Sequence, residues 1–160
     1  MIRTVLALDL STRTGWAFGS AGSEPVHGVW LLGKMSEGGR VFSCLMASLQ
    51  DAIAVHQPDL VIMEAPLPPQ AQTAANTARL QFGLAAHVET VCFEHGVKLE
   101  EERAGDVRRA VLGAFRADKS TIVEWCQRQG WSPAEDNDAD ALVLLRYRLD
   151  VEARRHGVRA

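Results

Sequence analysis

Two short apolar runs, each meeting an acidic residue at its end, constrain the fold of this chain more than any other feature. The first covers residues 4–10 and contains Asp9, and the second covers residues 59–63 and is followed directly by Glu64. Nearly unbroken apolar runs of this length are typical of strands buried on both faces of a sheet. Residues 40–56, between the two runs, carry apolar side chains three and four positions apart, which predicts a helix. A strand, a helix and a second strand in this order favour a parallel crossover and therefore an α/β domain.

The other patterns extend this sheet on both sides. Residues 11–15 are typical of a turn, and residues 16–18 and 26–32 predict two more strands, so that the first three strands form an antiparallel meander. A proline-rich loop follows Glu64. Further along we predict a long helix at 71–94, a strand at 97–101 and helices at 106–112, 119–129 and 136–148. The predicted fold is α/β, with a mixed five-stranded sheet (antiparallel meander plus parallel strands) flanked by helices.

Length and composition indicate one soluble domain, covering residues 1–160. Apolar residues make up 47% of the chain and charged residues 23%, as in globular proteins. The acid at position 9 interrupts the first apolar run too early for a signal peptide, and no later run is long enough to span a membrane, so we expect a cytoplasmic protein. The three cysteines (Cys44, Cys92 and Cys126) are far apart, which argues against a disulfide framework or a structural zinc site and favours buried, reduced thiols. His87 falls in an apolar helical stretch, where a structural role is expected.

The net charge of −3 does not by itself indicate a nucleic-acid-binding protein, but the charges are unevenly distributed. Residues 108–119 hold four cations against one acid, and residues 144–160 hold five arginines against two acids. Each stretch therefore carries a net charge of +3. Both solvated helix faces and basic binding surfaces are compatible with this pattern.

A cluster of acidic residues opens the last predicted helix and adds to the two strand-end acids. Asp136 and Asn137 lie four and three positions before Asp140, so these side chains share one helix face, whereas Asp138 points elsewhere. Carboxylates gathered without basic partners repel one another, and a hard cation such as Mg²⁺ relieves that repulsion. The alternative is structural, because acids in a first turn stabilise the helix dipole and residues 132–135 could form an ordinary capping box.

Four motifs in order make the chain resemble the RuvC family of Holliday junction resolvases, particularly its small phage and prophage members. The resemblance runs from about Leu6 to about Arg148. The matching segments are Asp9-Leu-Ser-Thr-Arg-Thr-Gly15, Gln57-Pro-Asp-Leu-Val-Ile-Met-Glu64, Ala104-Gly-Asp-Val-Arg-Arg-Ala-Val-Leu-Gly113 with Ala117-Asp-Lys119-Ser, and Asp140-Ala141-Leu142.

The resemblance implies an RNase H-like fold and a homodimer that nicks four-way DNA junctions symmetrically with Mg²⁺ or Mn²⁺, using two ions. Asp9, Glu64 and Asp140 would then be metal-binding acids. The family's fourth acid corresponds to Asn137, so either Asn137 is a weak ligand or Asp136 takes this role; Asp138 is the less favoured candidate.

The same resemblance assigns the DNA-binding residues. Lys119 matches a family lysine near the scissile phosphate, and Arg108 takes the place of another, with Arg109 beside it. Family members often carry an aromatic residue after the second acid, where this chain has Leu67, which could be an apolar wedge or could pack the loop. Small residues of the long helix could form the two-fold interface or pack on the sheet: Ala74, Ala75, Ala78, Ala85 and Ala86.

Three other functions compete with this interpretation. An ATPase is disfavoured, because 160 residues leave little room for a second domain and because Met35 follows Lys34 where a phosphate loop needs Ser or Thr. An RNA-processing nuclease of the same fold and a non-catalytic module that binds structured nucleic acid both stay open as alternatives.

Overall fold

The computed structural model describes residues 2–72 and 74–157. The strands are β1 (Thr4–Asp9), β2 (Arg13–Ser20), β3 (Val26–Leu31), β4 (Leu60–Glu64) and β5 (Lys98–Glu102). The helices are α1 (Gly38–His56), α2 (Ala75–Glu94), α3 (Ala104–Leu112), α4 (Lys119–Arg128) and α5 (Asp136–Arg155). Single turns of 3-10 helix at Met35–Glu37 and Pro69–Ala71 precede α1 and α2.

The five strands form one sheet in the order β3-β2-β1-β4-β5. The meander β1–β2–β3 is antiparallel, whereas β1 pairs with β4 and β4 with β5 in parallel. The predicted mixed five-stranded sheet is therefore confirmed, with the first acidic strand at its centre and the second beside it.

Successive side chains of the central strands face two separate cores, because side chains of a strand alternate between the two faces of a sheet. Leu6 and Leu8 of β1 pack with Met63 of β4 against α1 and α2. Val5 and Ala7 pack on the other face against apolar side chains of α3, α4 and α5. This alternation decides which face receives the acid at the end of each strand.

Two predicted boundaries are wrong near functional residues. β2 begins at Arg13, so Gly15 lies inside the strand opposite Asp9 and not in a turn. The chain reverses earlier than predicted because the buried Thr14 hydroxyl closes the turn by donating to the Ser11 carbonyl at 2.7 Å. Helix α2 begins at Ala75, later than predicted, because the Gln72 side chain holds the preceding loop through the Leu67 carbonyl at 3.0 Å.

Helix α5 extends to Arg155, well beyond the predicted end at residue 148. Arg148 is only 1% exposed and donates to Glu100 of β5 at 2.7 Å and to Glu152 at 3.0 Å. These ion pairs keep the helix packed on the sheet for two more turns. They also remove Arg148 from any basic surface, while Arg159 of the same basic stretch lies outside the described residues.

The cysteines and His87 have structural surroundings. Cys92 and Cys126 are buried thiols, and burial raises the pKa of each to about 12. Cys44 is a partly exposed thiol. The His87 ring stacks on Phe42 with its centroid 4.7 Å away, and its Nδ1 lies 2.6 Å from the Gly83 carbonyl, which confirms the structural role. Across residues 2–72 and 74–157, no helix combines the length and the apolar character that a membrane crossing requires.

Candidate active site

Asp9 and Glu64 end two neighbouring parallel strands and lie side by side. The register pairs Leu8 with Met63, so the next residue of each strand is the acid. Since Leu8 and Met63 face α1 and α2, both carboxylates point to the opposite face, where α5 packs. The two strand-end acids therefore converge as a direct consequence of strand register.

Asp140 reaches the same place from the first turns of α5. This helix packs across β1 and β2 on the face to which Asp9 and Glu64 point. Gly15 permits the approach, because a Cβ at this position would lie 1.9 Å from the carbonyl oxygen of Asn137. The first turn of α5 therefore rests directly on the β2 backbone, next to Asp9.

Burial disfavours the charged form of each of these three carboxylates, and neighbouring acids add to the effect. The pKa of Asp9 is raised well above its ordinary value, first by burial and then by the charges of Glu64 and Asp140. Burial, followed by the charge of Asp140, raises the pKa of Glu64 to about 7. Burial also raises the pKa of Asp140, against the opposing effect of Arg108. Such mutual perturbation is typical of carboxylates that a cation has to neutralise.

Two cations border this acidic cluster. Arg108 of α3 donates from Nη2 to Asp140 Oδ1 at 3.1 Å, and its buried Nε has no hydrogen-bond partner among the described residues. Lys119 opens α4, which Asp118 caps by accepting from the Thr121 amide at 2.8 Å. The Lys119 ammonium lies 2.7 Å from Asp136 Oδ2 and is otherwise exposed to solvent.

The donor set fits a hard divalent cation, although its side chains are not yet arranged around one. Within residues 2–72 and 74–157, no three side chains of His, Cys, Asp or Glu form a ready metal-binding group. Asp140 Oδ1 accepts a hydrogen bond from Arg108 at 3.1 Å, so this carboxylate has a cationic partner within the protein. Carboxylate oxygens are nevertheless the ligands that Mg²⁺ and Mn²⁺ prefer.

Asp138 points away from the acidic cluster, as its helix phase predicted. It is 1% exposed and accepts hydrogen bonds from the amides of Ala134 at 2.9 Å and Glu135 at 2.8 Å. Asp138 also contacts His27 of β3, whose Nδ1 lies 3.0 Å from Asp138 Oδ2. Asp138 therefore holds the start of α5, and the helix cap involves Glu135 and Asp138 rather than residues 132–135.

The two candidates for the fourth ligand occupy different surroundings. Asp136 is bound to Lys119, and its charge raises the pKa of Asp140. Asn137 lies nearer β2, with its carbonyl against Gly15.

The remaining predicted DNA-binding residues lie at the surface. The Arg109 guanidinium lies over the Phe115 ring, 4.8 Å from its centroid. Leu67 is 53% exposed. Of the small residues of α2, Ala85 is buried, whereas Ala75 and Ala86 are exposed.

Sequence reasoning missed the residues that fix α5 on the meander. Arg13 of β2 donates from Nε to Glu135 at 2.9 Å, and His27 contacts Asp138. No local pattern marks either pair, since the partners are more than 100 positions apart in the chain. An Asp followed six residues later by Gly was the one signal pointing to the Gly15 contact.

A pocket of about 460 Å³ lies away from this cluster, between the β2–β3 turn and the C-terminal half of α5. Its lining is mostly apolar and includes Pro25, Trp131 and Leu149. The acids instead lie at the edge of the sheet, an arrangement suited to an extended polymer more than to an enclosed small molecule.

No family model matches the chain, and no curated protein matches it in sequence. Solved structures do match its fold. A Thermus thermophilus RuvC structure aligns with a TM-score of 0.71 and 18% identity, covering 97% of each chain. Another, T. thermophilus RuvC in complex with Holliday junction substrate, gives a TM-score of 0.80 at 17% identity over 98% of this chain and 97% of that one.

A third match is the yeast mitochondrial Holliday junction resolvase Ydc2, with a TM-score of 0.61 and 14% identity. It covers 96% of this chain and 82% of the yeast chain. All three alignments span nearly the whole chain, so they compare complete architectures and not a shared fragment. The chain therefore has the RNase H-like fold of the RuvC Holliday junction resolvases.

Proposed function

We propose that this chain is a divalent-metal-dependent endonuclease that cuts branched DNA at four-way junctions. One observation carries the proposal: Asp9, Glu64 and Asp140 converge beside Arg108 and Lys119 at the edge of the sheet. Three mutually repelling carboxylates bordered by cations suit phosphodiester hydrolysis, which needs a bound metal and neutralisation of phosphate charge.

Asp9, Glu64 and Asp140 would hold Mg²⁺ or Mn²⁺, with Asp136 or Asn137 completing the set. Bound there, two such ions would lower the pKa of an attacking water and stabilise the leaving oxygen. Arg108 keeps Asp140 oriented towards the cluster, and its planar guanidinium has further N–H donors to offer a phosphate oxygen. Lys119 extends from the start of α4 and supplies a mobile point charge for the scissile phosphate.

Branched DNA is the proposed substrate because the matched folds belong to Holliday junction resolvases, one of them in complex with that substrate. Exposed basic residues of α3, α4 and their connecting loop (Arg109, Arg116 and Lys119) suit phosphate contacts that follow shape rather than sequence.

Symmetric nicking would require two copies of the chain, and the exposed face of α2 is the proposed interface. Phe82 is 42% exposed and Phe93 86% exposed, in line along the helix with Ala75 and Ala86. Apolar side chains of this size on one exposed helix face favour burial against a partner.

Cleavage of a labelled four-way junction tests the proposal against its rivals. The wild-type chain should nick the junction with Mg²⁺ and stop when EDTA is added, and it should leave a linear duplex of the same sequence intact. Preferred cutting of an RNA duplex or an RNA–DNA hybrid would favour the RNA-processing alternative. Salt-sensitive junction binding without cleavage in either Mg²⁺ or Mn²⁺ would identify a non-catalytic binding module.

A further inference from the structure

The loop between α3 and α4, the two helices that carry the cations of the candidate site, presents an exposed aromatic ring. Phe115 is 50% exposed, although burying a phenyl ring is favourable. The helix before this loop carries Arg108, bound to Asp140, and the helix after it begins with Lys119, bound to Asp136. Both helices that flank the Phe115 loop therefore contact the acidic residues of the candidate site.

Two contacts hold the Phe115 ring in place. The Arg109 guanidinium covers the ring at 4.8 Å from its centroid. One edge of the ring lies against Gly105 of α3, so closely that a Cβ at position 105 would come within 2.3 Å of it. The ring is thus fixed in orientation while half of its surface stays open to solvent.

We propose that Phe115 is a stacking platform for an unpaired or unstacked nucleobase at the branch point of the DNA substrate. This inference rests on the proposed function and adds a base-binding site to it. An aromatic ring with a cation behind it and phosphate-binding residues nearby is the arrangement by which proteins bind bases without reading sequence. A base at a branch point can leave the helical stack, whereas a base within a linear duplex cannot do so cheaply.

The charges around the ring favour a nucleic acid over an apolar protein segment as the occupant. Arg109 stacks on Phe115, so a partner that covers the exposed part of the ring also meets a cation, and a second arginine, Arg116, follows directly in the chain. A phosphate-linked base supplies an aromatic face and a negative charge together. Leu67, the exposed residue of the loop after β4, offers an apolar surface but no aromatic face.

The test compares Phe115→Leu with the wild type for binding to a four-way junction and to a linear duplex, without divalent ions. Leucine keeps the apolar volume and removes the ring, so junction Kd should rise roughly tenfold while duplex Kd changes by less than about twofold. The slope of log Kd against log salt should be unchanged, because no charge is removed. Val55→Ala, at an exposed apolar residue of α1, serves as the control and should change neither Kd.

A second variant and a crosslink test the proposal independently of whether Phe115→Leu folds normally. Gly105→Ala keeps Phe115 but displaces its ring, so it should lose the same junction preference with an unchanged melting temperature. A junction carrying 5-iodouracil at the branch point should give a light-induced adduct at Phe115 in the wild type. Equal losses on junction and duplex, or an adduct mapped elsewhere, would overturn the inference.

The outcome also separates this inference from the proposed function. If the wild type fails to distinguish the junction from the duplex, the proposed function fails and the stacking platform fails with it. If the wild type prefers the junction and Phe115→Leu prefers it equally, the platform alone is wrong.

Discussion

The carbonyl oxygen of Asn137 lies against Gly15 so closely that a Cβ on Gly15 would be 1.9 Å from it. Gly15 is also the residue paired with Asp9 across β1 and β2. Because Gly15 has no side chain, the first turn of α5, which leads to Asp140, can lie close to the strand that carries Asp9.

Gly15→Ala tests this spacing. The added methyl group must push α5 away from β2, and a displacement of about 1 Å at reacting groups can cost about 100-fold in rate. We expect the junction cleavage rate to fall by at least that factor, with a lower melting temperature from the overpacked contact. Gly39→Ala in α1, where a Cβ meets nothing within 4 Å, is the matched control and should leave the rate unchanged. Normal cleavage by Gly15→Ala would show that this contact does not position the acids.

Glu64→Gln should stabilise the metal-free protein at high pH. The pKa of Glu64 in the folded protein is about 7, above its ordinary value of 4.5. The folded state therefore holds the proton more tightly, and the stability that this adds is complete below about pH 4.5 and is lost as pH rises through 7. Glutamine stays neutral, so its advantage in free energy of unfolding should grow from near zero at pH 4.5 to roughly 2–3 kcal/mol at pH 8.

Urea denaturation in EDTA at several pH values measures this difference. Adding Mg²⁺ at pH 8 should stabilise the wild type by binding to the folded state and should stabilise Glu64→Gln much less. A wild type that gains stability between pH 5 and 8 in EDTA relative to Glu64→Gln would contradict the burial of Glu64 as an uncompensated carboxylate.

We expect Asp138 to be a structural residue and Asp136 to be a functional one. Asp138→Ala leaves two amides and His27 without their acceptor in a buried place, so we expect a loss of about 2–4 kcal/mol in free energy of unfolding. Asp136→Ala removes an exposed ion pair with Lys119 and should cost less than about 1 kcal/mol.

Cleavage by the folded fraction of each variant should show the reverse order. If Asp136 is the fourth ligand, Asp136→Ala should slow cleavage more than either Asp138→Ala or Asn137→Ala does. A larger rate loss in Asn137→Ala would assign the fourth ligand to Asn137.

Phe82→Glu tests the proposed homodimer. A charge at the centre of the exposed α2 face is unfavourable in an apolar interface. Sedimentation should therefore show a dimer for the wild type and a monomer for Phe82→Glu. Cleavage should become uncoupled, with single nicks accumulating in a cruciform plasmid. Val55→Glu places the same charge on α1 and should stay dimeric. A monomeric wild type would refute the interface itself.

The positions of Asp9 and Glu64 could be predicted from the sequence because they depend on local patterns. The apolar runs of β1 and β4 set their register, and register alone brings Asp9 and Glu64 together. The helical phase of residues 136–140 separates Asp138 from Asp140 before any tertiary contact is known. Both inferences need only the periods of strands and helices.

The rest depended on contacts between distant residues. Thr14 closes the turn after β1 with a hydroxyl, so Gly15 falls inside β2, and turn statistics alone do not predict this. The pair His27–Asp138 and the buried Arg148 with its two glutamates appear only when the helix is laid on the sheet. Arg148 also shows why a count of basic residues overestimates a basic surface.

Cleavage by Asp9→Asn, compared with its junction binding, tests most directly whether these carboxylates hydrolyse DNA. Asparagine preserves the shape of the side chain and removes the charge that a divalent ion needs. In Mg²⁺ the single-turnover cleavage rate should fall by at least about 1,000-fold, while junction Kd stays within about threefold of the wild type. Cutting at the wild-type rate by Asp9→Asn would contradict the account.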